Sequence, residues 1–250
     1  MIEYPEIDRY ADLDSILHKF DPRAKIVSFL TLIFSIVLIP DLKVALMAFT
    51  FSVFILALSK LPLSFVFKYL KWVTMFVLSI FTILALTFPG EKTSFYFISL
   101  SKDGIYSGAL ISIRAIAATM LVFPMIGTMR FDETIKALYM LRIPNSLVQM
   151  LMFTYRYIFV FADEFHRMLT AMESKGFKLK TNLYSFAVIG RAIGMLFVKS
   201  YERAERVYQA MLSRGYTGNP KTIADFKMDA KDFFLATLII FFAIFLHLMK

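Results

Sequence analysis

Residues 72–90 contain no charged side chain and stop at Pro89-Gly90, and this run limits the possible folds more than any other feature of the chain. At 1.5 Å per residue, a helix of that length rises about 28 Å, close to the ~30 Å hydrocarbon core of a bilayer. The run is not isolated. Apolar stretches recur at 26–39, 44–59, 104–129 and 233–249, and the chain is 58% hydrophobic with 28 Phe and 15 Met among its 250 residues. Mean hydropathy is +0.65, far above that of soluble domains. The expectation is an all-α membrane protein with about five transmembrane helices.

In chain order, a polar, interfacial segment at 1–19 leads to Asp21-Pro22-Arg23. Asp21 is placed to cap a helix whose first position is Pro22, where the missing N–H costs nothing. Arg23 and Lys25 are expected to hold that end at the cytoplasmic face. Pro40-Asp41 reads as a tight turn before the second span. Leu61–Lys71, with Lys60, Lys68 and Lys71, reads as a basic cytoplasmic connection, and 91–103 as external. Arg114 interrupts the fourth span, and an arginine at that depth is expected to anchor a neighbouring helix by hydrogen bonds. The acidic N-terminal segment lacks the apolar core of a cleaved signal peptide.

The net charge is +9, and residues 130–231 account for most of it with 16 Lys/Arg against 9 Asp/Glu. A basic surplus beside membrane spans marks the cytoplasmic side. Within this segment, 131–142 reads as a short amphipathic helix closed by Pro144. Two long helices follow, at 145–175 and about 183–214. Both carry charges at spacings that a spanning helix would not accept, so they are expected to lie along the cytoplasmic interface. Gly190 and Gly194 form a small-xxx-small step through which the two could cross closely. The implied division is 1–129 (four spans), 130–231 (the cytoplasmic module) and 232–250 (a last span after a polar connector at 217–232).

The two long helices end alike. DEFHRMLTAMESKGF at 163–177 and ERAERVYQAMLSRGY at 202–216 align at an offset of 39. They share Arg167/Arg206, two Ala-Met pairs, Ser174/Ser213, a cation at Lys175/Arg214, Gly176/Gly215 and an aromatic at Phe177/Tyr216. Glycine supplies the left-handed residue that ends a helix, and a cation is favoured in the last turn. Either copy alone is an ordinary helix end. Two in one chain suggest a pair of prongs for a partner with two similar sockets.

Several chemistries have no signature here. There is no G-x-x-x-x-G-K-[ST] loop, no H-E-x-x-H, no G-x-S-x-G and no cysteine for disulfides or thiolate metal sites. His18, His166 and His247 are far apart with no paired spacing, so no metal site is expected. No basic run with interleaved aromatics on a soluble fold points to nucleic acid. The chain reads as non-catalytic.

The LHKFDPRAK entry at 17–25, the five-span plan and the doubled glycine-ended motif resemble the transmembrane T component of energy-coupling factor (ECF) transporters, along essentially the whole chain. The start IDRYADLDSILHKFDPR is most similar to the cobalt/nickel, CbiQ-like branch. The resemblance implies a coupling scaffold in the cell inner (plasma) membrane, with its N-terminus and coupling module cytoplasmic. It implies two ABC-type ATPase subunits as partners, which bind the ATP, and a separate substrate-binding membrane S component; no cofactor is held by this chain itself. The family's Ala-Arg-Gly-type triplets fall on Ser174-Lys175-Gly176 and Ser213-Arg214-Gly215. Glu173, Phe177, Tyr216, Arg167 and Arg206 are implied as supporting residues, with Asp21, Pro22 and Arg23 as the membrane-entry motif. Serine replaces alanine in both triplets. Lysine replaces arginine in the first and lacks the planar fork that pairs with a carboxylate through two contacts. Vitamin-type S components, a conventional ABC importer permease and a scaffold without ATPases are the alternatives.

Overall fold

The computed structural model describes residues 8, 10–89, 92–95, 98–218 and 228–249. Its helices are α1 (Pro22–Val37), α2 (Leu42–Leu58), α3 (Leu63–Thr87), α4 (Lys102–Gly127), α5 (Phe131–Met140), α6 (Asn145–Ser174), α7 (Leu183–Leu212) and α8 (Ala230–Leu248). Between α3 and α4, β1 (Lys92–Phe95) and β2 (Ile98–Ser101) pair antiparallel, with Lys92 opposite Ser101. The chain is an all-α membrane protein with this one small hairpin among its described residues. Two compact units divide it: Pro5–Ala137 with Asp225–Lys250, and a second containing Leu138–Ala224.

In the first unit α4 packs against α1, α2 and α3, and α8 packs against α1. The shared core is apolar and rich in alanine: Phe29, Leu32 and Ile36 of α1, Ala45 and Ala48 of α2, Ala117 and Leu121 of α4, and Ile239, Ala243 and Leu246 of α8. The alanines let helix backbones approach, as expected where lipid rather than water is the competing neighbour. Gly104 and Gly108 take this furthest. A β-carbon at Gly104 would lie 2.4 Å from the Leu84 carbonyl oxygen, and one at Gly108 2.9 Å from the Phe81 ring. The outer surface is also apolar, with Phe34, Phe67, Trp72, Phe76, Phe234 and Phe241 each more than three-fifths exposed. A surface of that kind belongs in hydrocarbon, and the protein is a multi-pass membrane protein.

One sequence expectation changes, and two are filled in. First, Leu61–Lys71 is not a connection. Pro62 starts α3, whose 25 residues rise about 37 Å, so Lys68 and Lys71 ride on its first turns rather than in a loop. Second, the stretch 91–103, read from sequence only as external, gains structure. It holds the hairpin and leads into α4, where the Ser101 hydroxyl accepts the Gly104 N–H at 3.2 Å. Third, length and apolar composition suited to crossing a membrane belong to α3, α4, α7 and α8, with α2 a shorter apolar helix of 17 residues. α1 is similar in length to α2, at 16 residues. The polar connector lies largely outside the described residues, as does most of the segment before Tyr10.

Arg114 does reach another helix. Its Nη1 donates to the Val37 carbonyl oxygen at the end of α1, at 3.2 Å. Partly free carbonyls at a helix C-terminus are a natural acceptor for a cation that lacks water.

The second unit is built on α6 and α7, each of 30 residues. They run antiparallel from the 175–182 loop and meet where Lys199 of α7 reaches Glu164 of α6. Gly190 and Gly194 are not at that crossing. A β-carbon at either would have nothing within 4 Å, so the small-residue step does not serve close approach of α6. Phe161 on α6 and Lys199 and Arg203 on α7 line the meeting point instead.

Candidate functional site

The two helix ends are superposable bond for bond. At the first, the Phe177 N–H donates to the Met172 carbonyl at 3.1 Å, and the Gly176 N–H to Glu173 at 2.9 Å. At the second, the Tyr216 N–H donates to Met211 at 3.1 Å, and the Gly215 N–H to Leu212 at 2.9 Å. This 6→1 and 5→2 pair is the Schellman cap, and it needs a left-handed residue at the glycine position. Gly176 has φ +87° and Gly215 φ +79°. Both β-carbon positions are open, so conformation and not crowding calls for glycine there.

The side chains repeat as well. Ser174 Oγ donates to the Thr170 carbonyl and Ser213 Oγ to the Gln209 carbonyl, both at 2.9 Å. Each hydroxyl is thereby absorbed by its own helix, which accounts for serine standing where alanine would serve. Met172 and Met211 are half-buried, and so are Phe177 and Tyr216. The four residues between them are exposed in both copies: Glu173, Ser174, Lys175 and Gly176 at one end, Leu212, Ser213, Arg214 and Gly215 at the other. Lys175 and Arg214 are thus exposed at the point where the helix carbonyls run out.

Antiparallel packing sends the two tips to opposite ends of the pair. Tyr216 hydrogen-bonds Gln149 on the second turn of α6, and 25 residues separate Gln149 from Ser174, which places the tips about 37 Å apart along α6. Arg167 and Arg206 do not join the tips. Each is tied to an acid one turn earlier in its own helix, Arg167 to Glu164 at 3.2 Å and Arg206 to Glu202 at 3.8 Å. Glu164 is shared between Arg167 and the Lys199 bond, and the hydrogen bond from Lys199 holds its carboxyl below the usual range. A groove of about 750 Å³ opens between the first half of α6 and the second half of α7, lined by Phe153, Tyr157, Phe161, Phe197 and Tyr208 among others.

The third group of sequence-selected residues lies in the other unit. Asp21 caps α1, accepting the Arg23 N–H at 2.8 Å and the Ala24 N–H at 3.4 Å, with Pro22 in the first helical position. The Arg23 guanidinium returns to the same carboxylate at 2.9 Å. Burial pushes Asp21 up, but the Arg23 bonds outweigh it and hold the carboxyl below its ordinary range. Sequence reasoning missed what surrounds this cap. The Asp21 N–H donates to Asp232 of α8 at 3.3 Å. Lys25, expected at the interface, is fully buried, with Nζ donating to the Thr128 hydroxyl at 3.0 Å and the Thr128 carbonyl at 3.2 Å. Asp21, Lys25, Thr128 and Asp232 therefore join the start of α1, the end of α4 and the start of α8. Asp232 was legible only as part of a connector, because no spacing links residue 232 to residue 21. No cluster of three or more His, Cys, Asp or Glu able to hold a metal occurs among the described residues.

These positions lie within a stretch with known relatives. A family model described as CbiQ, cobalt transport protein, matches residues 14–223. The chain is 28% identical to an energy-coupling factor transporter transmembrane protein EcfT of Staphylococcus aureus, over 98% of this chain and 96% of that one. It is 30% identical to an EcfT of Thermanaerovibrio acidaminovorans, covering 85% of this chain and 83% of the relative. With an EcfT of Bacillus subtilis the identity is 24% over 87% of each.

Proposed function

The chain belongs to the CbiQ/EcfT family, the transmembrane components of energy-coupling factor transporters, and on that premise we propose that its two helix tips are the docking points for two ABC-type ATPase subunits. The reading is carried by one observation: the same exposed, cation-bearing Schellman cap is built twice, at opposite ends of one helix pair. A single copy serving two ATPases needs two equivalent handles. A conventional permease working as a pair would need one per chain.

In this reading α6 and α7 lie on the cytoplasmic side with the N-terminus. Lys175 and Arg214 make charge-assisted bonds to acidic residues in the two sockets, and Phe177 and Tyr216 pack beside them. ATP is bound by the partners, and this chain supplies neither cofactor nor catalytic group. Closure of the ATPase dimer pulls on both tips, and the stiff helix pair carries that displacement to a substrate-binding membrane subunit. The aromatic groove between the helices supports an interfacial position for them, since its lining is apolar on helices otherwise rich in charge. The cargo is proposed to be cobalt or nickel, on the acidic-aromatic N-terminal segment and the description of the matching family model.

Purification of the complex from native membranes, followed by mass measurement, tests the proposal. One copy of this chain with two nucleotide-binding subunits and a small membrane subunit is expected. A complex holding two copies of this chain, or no nucleotide-binding subunit, would overturn it. Uptake of labelled cobalt(II) or nickel(II) by vesicles containing the complex tests the cargo, and uptake of neither would remove that part.

A further inference from the structure

The two tips differ in how they are held, and the difference lies in one side chain that no motif singles out. Gln149 sits on the second turn of α6. Its Oε1 accepts the Tyr216 hydroxyl, and its Nε2 donates to the Gly218 carbonyl at 2.6 Å. The Gly218 carbonyl fixes the orientation of the amide, because the opposite flip would set oxygen against oxygen. Gln149 thus grips the chain immediately after the second cap and again two residues on, while Arg214 remains exposed. Phe177 occupies the place of Tyr216 at the first tip and has no hydroxyl to offer. Its ring lies near that of Tyr184, 6.4 Å away between centroids.

The first tip does not need such a grip. Eight residues, 175–182, run from the end of α6 into α7, so the peptide chain itself ties Lys175 to both helices. The second tip has no such short loop to α6, since Tyr216 and Gly218 lie 67 and 69 residues along the chain from Gln149. We propose that Gln149 is a positioning residue: a noncovalent latch that closes the open end of the α6–α7 pair, so that a pull on Arg214 moves both coupling helices as a pull on Lys175 does. With the loop at one end, the Gln149 latch at the other and the Glu164–Lys199 contact between, the pair forms a closed frame. A force applied at either end then reaches the crossing.

This inference rests on the proposed docking of ATPases at the tips, and its test separates the two ideas. The chain has no cysteine, so Ser146→Cys on α6 and Ala210→Cys on α7 can carry paired nitroxide labels in the assembled complex. Electron paramagnetic resonance should give one narrow distance that is the same with ADP and with a non-hydrolysable ATP analogue. Gln149→Met removes both hydrogen bonds and should broaden that distribution about two-fold, whereas Tyr216→Phe removes one and should broaden it less. The double variant should be no broader than Gln149→Met alone, and Gln149→Met should leave ATPase co-purification at the unmutated level. A distance that shifts between nucleotide states in the unmutated complex, or is indifferent to Gln149→Met, would overturn the latch while leaving tip docking intact. Loss of ATPase from Gln149→Met would overturn it too, by placing Gln149 in the docking surface. An unmutated chain that retains no ATPase would remove both ideas together.

Discussion

The end of α6 and the end of α7 have the same backbone and different surroundings. Both close with the same pair of hydrogen bonds onto a methionine carbonyl and its neighbour, both place glycine in the left-handed region, and both fold a serine hydroxyl back onto the preceding turn. Beyond that they part. One tip carries lysine and flows directly into the partner helix; the other carries arginine and is fastened to the partner helix by Gln149. What is repeated presents a cation to the outside. What is not repeated attaches each tip to the same two helices by whatever means the chain's path allows. The comparison separates the docking element from the lever behind it.

The sharpest way to break the equivalence is charge reversal. Arg214→Glu is expected to detach the ATPase from the membrane complex and abolish uptake while leaving the chain folded, because the Arg214 side chain is exposed. Undiminished ATPase yield on purification would show that the second tip is not a handle. The backbone half of the comparison is tested by Gly176→Ala and Gly215→Ala. Each forces a β-carbon into the left-handed region at a cost of roughly 1–2 kcal/mol, and because neither site is crowded the two costs should match. Hydrogen exchange of the Phe177 and Tyr216 amides, which make the 6→1 bonds, measures this directly. Clearly unequal effects would mean that the caps are alike in form only.

Smaller effects sharpen the comparison. Lys175→Arg should be tolerated, since it restores the fork to a site already occupied by a cation, whereas Arg214→Lys should weaken ATPase retention several-fold by removing one of two parallel bonds. Loss of transport from Lys175→Arg would give the lysine a role of its own. The smallest effect concerns the crossing. The carboxyl of Glu164 is depressed in the folded chain, so its bond to Lys199 contributes fully above the ordinary glutamate value (~4.3) and is lost as pH falls through the lower folded value. Distances across the crossing should hold from neutral pH down to the ordinary glutamate value and loosen only below it, slightly because the pair is partly exposed, and Glu164→Gln should remove that dependence.

Much of this was legible in the chain itself. Hydrophobic runs placed α2, α4 and α8 closely, and glycine plus a preceding cation marked both caps, because local bonds decide where a helix ends. The 39-residue offset paired them without any structure. Features set by tertiary neighbours were not legible. Lys25 looks like a boundary charge until Thr128 is found above it, and Asp232 looks like linker until it meets the Asp21 amide. α3 begins earlier than its uncharged run because Lys68 and Lys71 are compatible with helix, and charge alone cannot distinguish a loop from the interfacial turns of a span. Gly190 and Gly194 show the reverse error, a packing motif facing open space. Gln149 had no pattern to announce it, since its partners lie 67 and 69 residues away.

The central claim is that positions 175 and 214 each hold an ATPase subunit at the same time. Lys175→Cys and Arg214→Cys, placed singly and together in this cysteine-free chain and fitted with a short photo-crosslinker in the assembled complex, test it most directly. Each single variant should yield an adduct of this chain with one nucleotide-binding subunit, and the double variant an adduct of one chain with two. A double variant that never captures more than one such subunit, or a position that crosslinks only to lipid, would contradict the account.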